Sequence, residues 1–176
     1  MTLGSVADRL LRQSRLPLVI VNPDRGKRDL VSLTRIEHIM VALDWSSLTG
    51  LVFGSAIDFA KLMRVRVTLT TVVTPVVSGP RAMPAEPDVS DEDEARARQY
   101  LEQMADGLRA EGLSVDVLVV SADEPVSGIV SVAHACGADL IAMATHGRRS
   151  VKGIRIRSIT AGVLHHGRLP VLLSSR

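Results

Sequence analysis

Five short aliphatic runs, separated by stretches long enough for a helix or a long loop, leave this chain few folds to choose from. They are His38–Asp44 (HIMVALD), Val65–Val73 (VRVTLTTVV), Val115–Val120 (VDVLVV), Asp139–Ala144 (DLIAMA) and Pro170–Ser174 (PVLLS). Near-continuous Val, Ile and Leu suits strands covered on both faces, and strands alternating with helices imply βαβ units. Between the runs, Ser46 or Ser47 caps a stripe of Leu48, Val52, Ala56, Phe59, Ala60 and Met63. Ser90 caps an acid-led helix whose inner positions are Ala97, Leu101, Met104, Ala105 and Leu108. Asp123 and Pro125 open a third helix on Val126, Ile129, Val130 and Ala133, and a fourth runs around Ser158–His166. Thr74–Val89 holds four prolines and a glycine and reads as a long loop. The expected fold is an open, parallel five-stranded sheet with helices on both faces. Apolar residues make up 46% of the chain, yet only Trp45, Phe53, Phe59 and Tyr100 are aromatic, which fits strand faces filled by aliphatic side chains.

The first 35 residues form a separate helix–strand extension and linker ahead of a domain at 36–176. Gly4–Val21 (GSVADRLLRQSRLPLVIV) aligns without gaps on Arg157–Ser174 (RSITAGVLHHGRLPVLLS). The shared pairs are Ser5/Ser158, Leu11/Leu164, Arg15/Arg168, Leu16/Leu169 and Pro17/Pro170. The extension is therefore a second copy of the closing helix–turn–strand unit, resembling the tail of a preceding domain. Three arrangements follow: pairing of Pro17–Val21 with a sheet edge, exchange of the unit between chains, or a disordered extension. Edge pairing requires the least rearrangement, and the final strand is the natural edge.

Several functions have little support. No apolar run reaches the ~18 residues of a membrane helix, and the first residues lack the apolar core of a secretion signal. The single cysteine, Cys136, has no internal partner and reads as a small buried apolar residue, which points to the cytoplasm. Net charge is +2, but no acid follows Thr145, where Arg148, Arg149, Lys152, Arg155, Arg157, Arg168 and Arg176 collect. That end has no aromatic residue on which bases would stack, which disfavours nucleic acid. His165 and His166 stand ~100° apart on a helix and make a poor metal pair. Phosphate-loop, nucleophile-elbow and zinc-protease motifs are missing, so the chain is not expected to be an enzyme.

Ligands of open parallel sheets sit beyond the carboxyl ends of the strands, where strand order changes direction. Asp44 ends the first strand and can accept hydrogen bonds from a ribose. The second strand ends near Val72, whose main chain can read an adenine edge. The fourth leads through Thr145-His146-Gly147 towards Ser158 at a helix start, where free N–H groups favour anions. Val41-Ala42-Leu43-Asp44, the strand Asp139–Ala144 with Thr145-His146-Gly147-Arg148, and Arg168-Leu169-Pro170-Val171-Leu172-Leu173 resemble the universal stress protein family over about residues 36–174. The resemblance implies a Rossmann-like, adenine nucleotide alpha hydrolase-like domain. It also implies a site for ATP or another adenine nucleotide, with Mg as companion ion. Ala42, Leu43 and Asp44 would meet base and ribose, and Val72 the adenine. Met143, Ala144, His146, Gly147, Ser158, Ile159 and Thr160 would line the phosphate path.

The chain departs from the motif of ATP-binding members, which runs Gly, two residues, Gly, nine residues, Gly, then Ser or Thr. Here those positions are Ala144, Gly147, Arg157 and Ser158. Ala144 is a mild change, whereas Arg157 places a long side chain where phosphate would approach. Plainer roles stand beside the implied ones: Asp44 and Ser158 as helix caps, His146 packed on its loop, Arg155 and Arg157 solvated or neutralising phosphate. The expected function is a stress-response regulator that binds adenine nucleotide weakly and forms a homodimer through the final strand. The alternative is a nucleotide-independent dimerisation or docking module with a degenerate site and no cofactor.

Overall fold

The structure, a computed structural model, describes residues 10, 14, 16–21, 36–44, 49–74, 91–144 and 155–174. The five aliphatic runs become β2 (His38–Ala42), β3 (Arg66–Val73), β4 (Val115–Ser121), β5 (Leu140–Ala144) and β6 (Val171–Ser174). Four described helices link them: α1 (Thr49–Met63), α2 (Asp91–Ala110), α3 (Pro125–Ala135) and α4 (Arg155–His166). A further strand from the N-terminal extension, β1 (Leu18–Ile20), completes a sheet of order β1-β6-β5-β2-β3-β4. Every neighbouring pair from β6 to β4 is parallel, whereas β1 runs antiparallel to β6.

Alternation along each strand divides the core in two. Ile39, Val41, Val67, Leu69, Leu140, Ala142 and Leu172 face one side, under Val52, Ala56, Ile57 and Ala60 of α1 and Leu101, Ala105 and Leu108 of α2. Met40, Ile141, Met143, Val171 and Leu173 face the other, under Ile129, Val132 and Ala133 of α3 and Val163 of α4. Two details differ from the sequence expectation. Ile57 is buried and Met63 exposed on α1, and Val132 rather than Val130 is fully buried on α3. Both shifts follow from the helix axis settling a fraction of a turn away from the apolar stripe read off the sequence.

The extension pairs within its own chain, Leu18 with Leu173, Val19 with Leu172 and Ile20 with Val171. The sequence repeat is also a structural one at its helix end. Ser14 N donates to Leu10 O at 2.8 Å, and in the second copy Gly167 N donates to Val163 O at 2.7 Å. This pairing corrects one expectation. The final strand was to be the open edge for a homodimer, but β6 lies between β5 and β1, so both of its backbone edges are taken.

Candidate functional site

β3 outruns β2 at the carboxyl end of the sheet, and that difference opens the site. The last rung between them is Leu43 N donating to Thr70 O at 2.8 Å. Arg66 N donates to Glu37 O, whereas Val67 N donates to Ser114 O beside β4 and Ala122 N donates to Val73 O. Even-numbered β3 residues thus turn their peptide groups towards β2 and odd-numbered ones towards β4. Val72 is even and lies beyond the last β2 partner, Ala42, which pairs with Thr70. Its N–H and C=O therefore face the space where β2 has ended.

That space is a cavity of about 180 Å³. It lies where strand order reverses, since β2 leads to β3 on one side while β5 pairs it on the other. Ala42, Leu43, Asp44, Val72, Met143, Ala144, Ile159 and Thr160, all named by the family resemblance, line it. His146 and Gly147 lie outside the described residues, and so do the basic residues Arg148, Arg149 and Lys152. Arg157 and Ser158 are described through their backbone only. α4 begins at Arg155, so both lie within its first turns and Ser158 is not the residue that precedes the helix. Nothing from Arg155 to Ser158 is a strong helix breaker, so the helix starts earlier than the serine suggests.

Five lining residues escaped the sequence reading: Val52, Thr70, Thr71, Pro125 and Ile129. The two threonines are the legible ones, as hydroxyls at the carboxyl half of a strand that also carries Arg66 and Thr68. Thr70 Oγ1 donates to Leu118 O at 2.9 Å, which leaves its methyl group rather than its hydroxyl as an uncommitted surface. Pro125 and Ile129 enter because α3 approaches the end of β3 closely. A Cβ on Gly128 would lie 2.8 Å from Val72 Cγ1. A Cβ on Gly162 would likewise lie 2.7 Å from Val126 Cγ2, so α4 nests on α3 through a second glycine.

Charge is sparse in the cavity. Asp44 stands exposed at its mouth, and among the lining residues it is the one carboxylate. Two groups with shifted protonation, His38 and Cys136, lie at the opposite, amino-terminal end of the sheet. His38 is buried, and desolvation with the nearby Arg66 charge pushes its imidazole below the usual histidine value. Burial likewise pushes the half-buried Cys136 thiol up, which keeps it protonated and unreactive at neutral pH. Among the described residues no group of three His, Cys, Asp or Glu is placed to hold a metal, and the His165 and His166 rings lean together at 4.8 Å rather than diverging. None of the described helices is long and apolar enough to cross a membrane.

The family model of the universal stress proteins matches residues 35–175. The chain belongs to the universal stress protein family. Among solved structures, a universal stress protein from Burkholderia pseudomallei is 24% identical, with a TM-score of 0.62 over 78% of this chain and 95% of that one. One from Archaeoglobus fulgidus is 23% identical with a TM-score of 0.73, and it covers 100% of this chain with 57% of its own length. A third, a universal stress protein in complex with cAMP, is 19% identical with a TM-score of 0.55 over 79% of this chain and 96% of that one. At these identities the likeness is one of fold. No curated protein sequence gives a significant match.

Proposed function

We propose that this universal stress protein binds an adenine nucleotide, as a regulatory ligand rather than a substrate, at the carboxyl ends of β2, β3 and β5. The reading rests on the cavity into which the peptide group of Val72 turns. A neighbouring N–H and C=O match the ring nitrogen and exocyclic amine along adenine's edge, while guanine offers a donor and an acceptor in the reverse order. Asp44 at the mouth is placed to accept from ribose hydroxyls. A volume of about 180 Å³ falls below the roughly 300–1,000 Å³ usual for small-molecule pockets. It suits a base with part of its sugar, and the phosphates then extend over the first turns of α4. That a protein of this fold is found in complex with cAMP supports the nucleotide reading.

Affinity is weak in this reading. Ala144 and Arg157 replace two glycines whose exposed peptide groups would otherwise approach phosphate. Mg would accompany a triphosphate, held by phosphate oxygens more than by the protein. The nucleotide is a ligand that is held and not turned over in this reading, and the protein acts as a cytoplasmic regulator.

Mass spectrometry of the protein under native conditions would show a carried nucleotide directly. Melting with Mg-ATP, AMP, cAMP and GTP then ranks the ligands, since occupancy at 100-fold over Kd stabilises by about 2.7 kcal/mol. A rise with the adenine ligands and none with GTP supports the reading. No rise with any of them favours the nucleotide-independent docking module.

A further inference from the structure

The two edges of the sheet are built differently. β1 forms one of them with three residues set between Pro17 and Pro23, and short edges flanked by proline resist unwanted pairing. β4 forms the other with seven, Val115–Ser121, and holds no proline, lysine or arginine. Its peptide groups alternate in direction. Val67 N donates to Ser114 O and Ala122 N donates to Val73 O, so even-numbered β4 residues bond to β3 and odd-numbered ones turn outwards. Arg109 of α2 closes the amino-terminal end of that outer edge, its Nε donating to Val115 O at 3.0 Å. Glu102 and Asp106 hold the same guanidinium at 2.7 and 3.1 Å. Among the described residues nothing pairs with the outward N–H and C=O groups of Val117, Val119 and Ser121.

The surroundings of this open stretch select what it can take. Asp116, Leu118 and Val120 alternate onto the α3 face of the sheet, where Val120 packs on the core and Leu118 stays 36% exposed. Asp116 is exposed towards the amino-terminal end, and Asp123 and Glu124 are exposed just beyond the carboxyl end. An apolar shelf thus lies between carboxylates, and the nearby Arg109 is already engaged by two acids. A second copy of β4 laid along this edge would bring acid against acid at both ends. Like charges disfavour that partner, whereas a segment with cations at its ends is drawn to the same place.

We infer that the outer edge of β4, from Val117 to Ser121, is a docking site for an extended segment of another protein. The segment adds to the sheet as a further strand, with basic residues at its two ends and aliphatic ones between them on the α3 side. Main-chain pairing with Val117, Val119 and Ser121 supplies affinity, and Leu118 with the flanking acids supplies selectivity. The site is separate from the cavity and does not rest on the nucleotide reading.

The test uses the full-length chain and the capped peptide Lys-Thr-Val-Thr-Val-Thr-Lys, which presents lysines and valines on one face in either strand direction. Titration followed by nuclear magnetic resonance is expected to show saturable binding, at least about ten-fold tighter than for the same peptide ended in glutamate. Exchange of the Val117, Val119 and Ser121 amide hydrogens should slow with the lysine peptide bound. Val119→Pro removes an outward N–H without touching the β3 ladder, and should weaken binding by about ten-fold. Asp116→Lys with Asp123→Lys should reverse the preference between the two peptides, and it carries the test if Val119→Pro loses native dichroism. No binding of the lysine peptide, or equal binding of the two, overturns the inference. Binding without slowed exchange at those three amides overturns it as well, since charge alone would then account for it. Slowed exchange there on concentrating the unaltered chain by itself does the same, because the partner would be a second copy.

Discussion

Gly128 of α3 rests on Val72 of β3 so closely that a Cβ at position 128 would lie 2.8 Å from Val72 Cγ1 and 3.0 Å from Ala122 Cβ. The contact sets how near the helix comes to the cavity, and it joins a packing residue to the strand residue whose peptide group faces the ligand space. Gly128→Ala is expected to destabilise by about 1–3 kcal/mol, since Val and Ala have no flexible end that can move aside. Adding Val72→Ala should recover at least about 0.5 kcal/mol relative to the sum of the single changes, read from urea unfolding of the four proteins. Strict additivity would show that the two residues are not in contact.

Arg64 offers a change in the opposite direction. α2 and α3 end on Gly112 and Gly137 at φ 87° and 67°. In each, paired hydrogen bonds close the last turn: Leu113 N to Leu108 O with Gly112 N to Arg109 O, and Ala138 N to Ala133 O with Gly137 N to His134 O. α1 closes in the same way, Val65 N to Ala60 O and Arg64 N to Lys61 O, but with arginine at φ 54°. Left-handed backbone costs a residue with a Cβ about 1–2 kcal/mol. Arg64→Gly should therefore raise stability by about 1 kcal/mol, visible as a higher urea midpoint at unchanged slope. Unchanged or lower stability would mean that the arginine side chain contributes more than the strain removes.

His38 predicts an acid-sensitive fold. Its Nδ1 lies 3.3 Å from Gly137 O, which can only accept, so that nitrogen carries the proton and Nε2 accepts from the Thr68 hydroxyl at 2.7 Å. Burial and Arg66 oppose a second proton more strongly than Asp139 and Asp116 favour it. The unfolded chain takes up a proton near pH 6.5 that the folded chain resists. The contribution is therefore complete above that pH and is lost progressively as pH falls below it. Unfolding free energy measured from pH 7.5 to 5 should fall for the native protein and fall less steeply for His38→Gln. Equal slopes would remove His38 as the cause.

Arg157 is the residue on which nucleotide affinity should turn. Replacing it with glycine restores the residue type at the third position of the phosphate motif. Arg157→Gly is expected to tighten Mg-ATP binding several-fold by titration calorimetry, with less effect on adenosine, which lacks phosphate. Abolished ATP binding would instead make the guanidinium a phosphate ligand and refute obstruction.

Period and composition, which are local, made much of this molecule legible. Aliphatic runs spaced by helix-length segments read as parallel strands, and the repeated Arg-Leu-Pro with its apolar run marked β1 before any edge was known. Asp44 and Val72 were legible as strand ends, which parallel topology gathers, whereas Ala42, Leu43, Met143, Ala144, Ile159 and Thr160 came from the family resemblance; all of them line the cavity. Other features depended on relations that no single segment contains. Val52 reaches the cavity through the approach of α1, and Pro125 and Ile129 through that of α3, which Gly128 permits. Val19 and Leu172 occupy equivalent places in the two copies of the repeat, yet one is exposed and the other buried. Periodicity assigns a residue to a face of its own strand. Which helix then covers that face is decided by sheet order, and sheet order is set by pairing between distant segments.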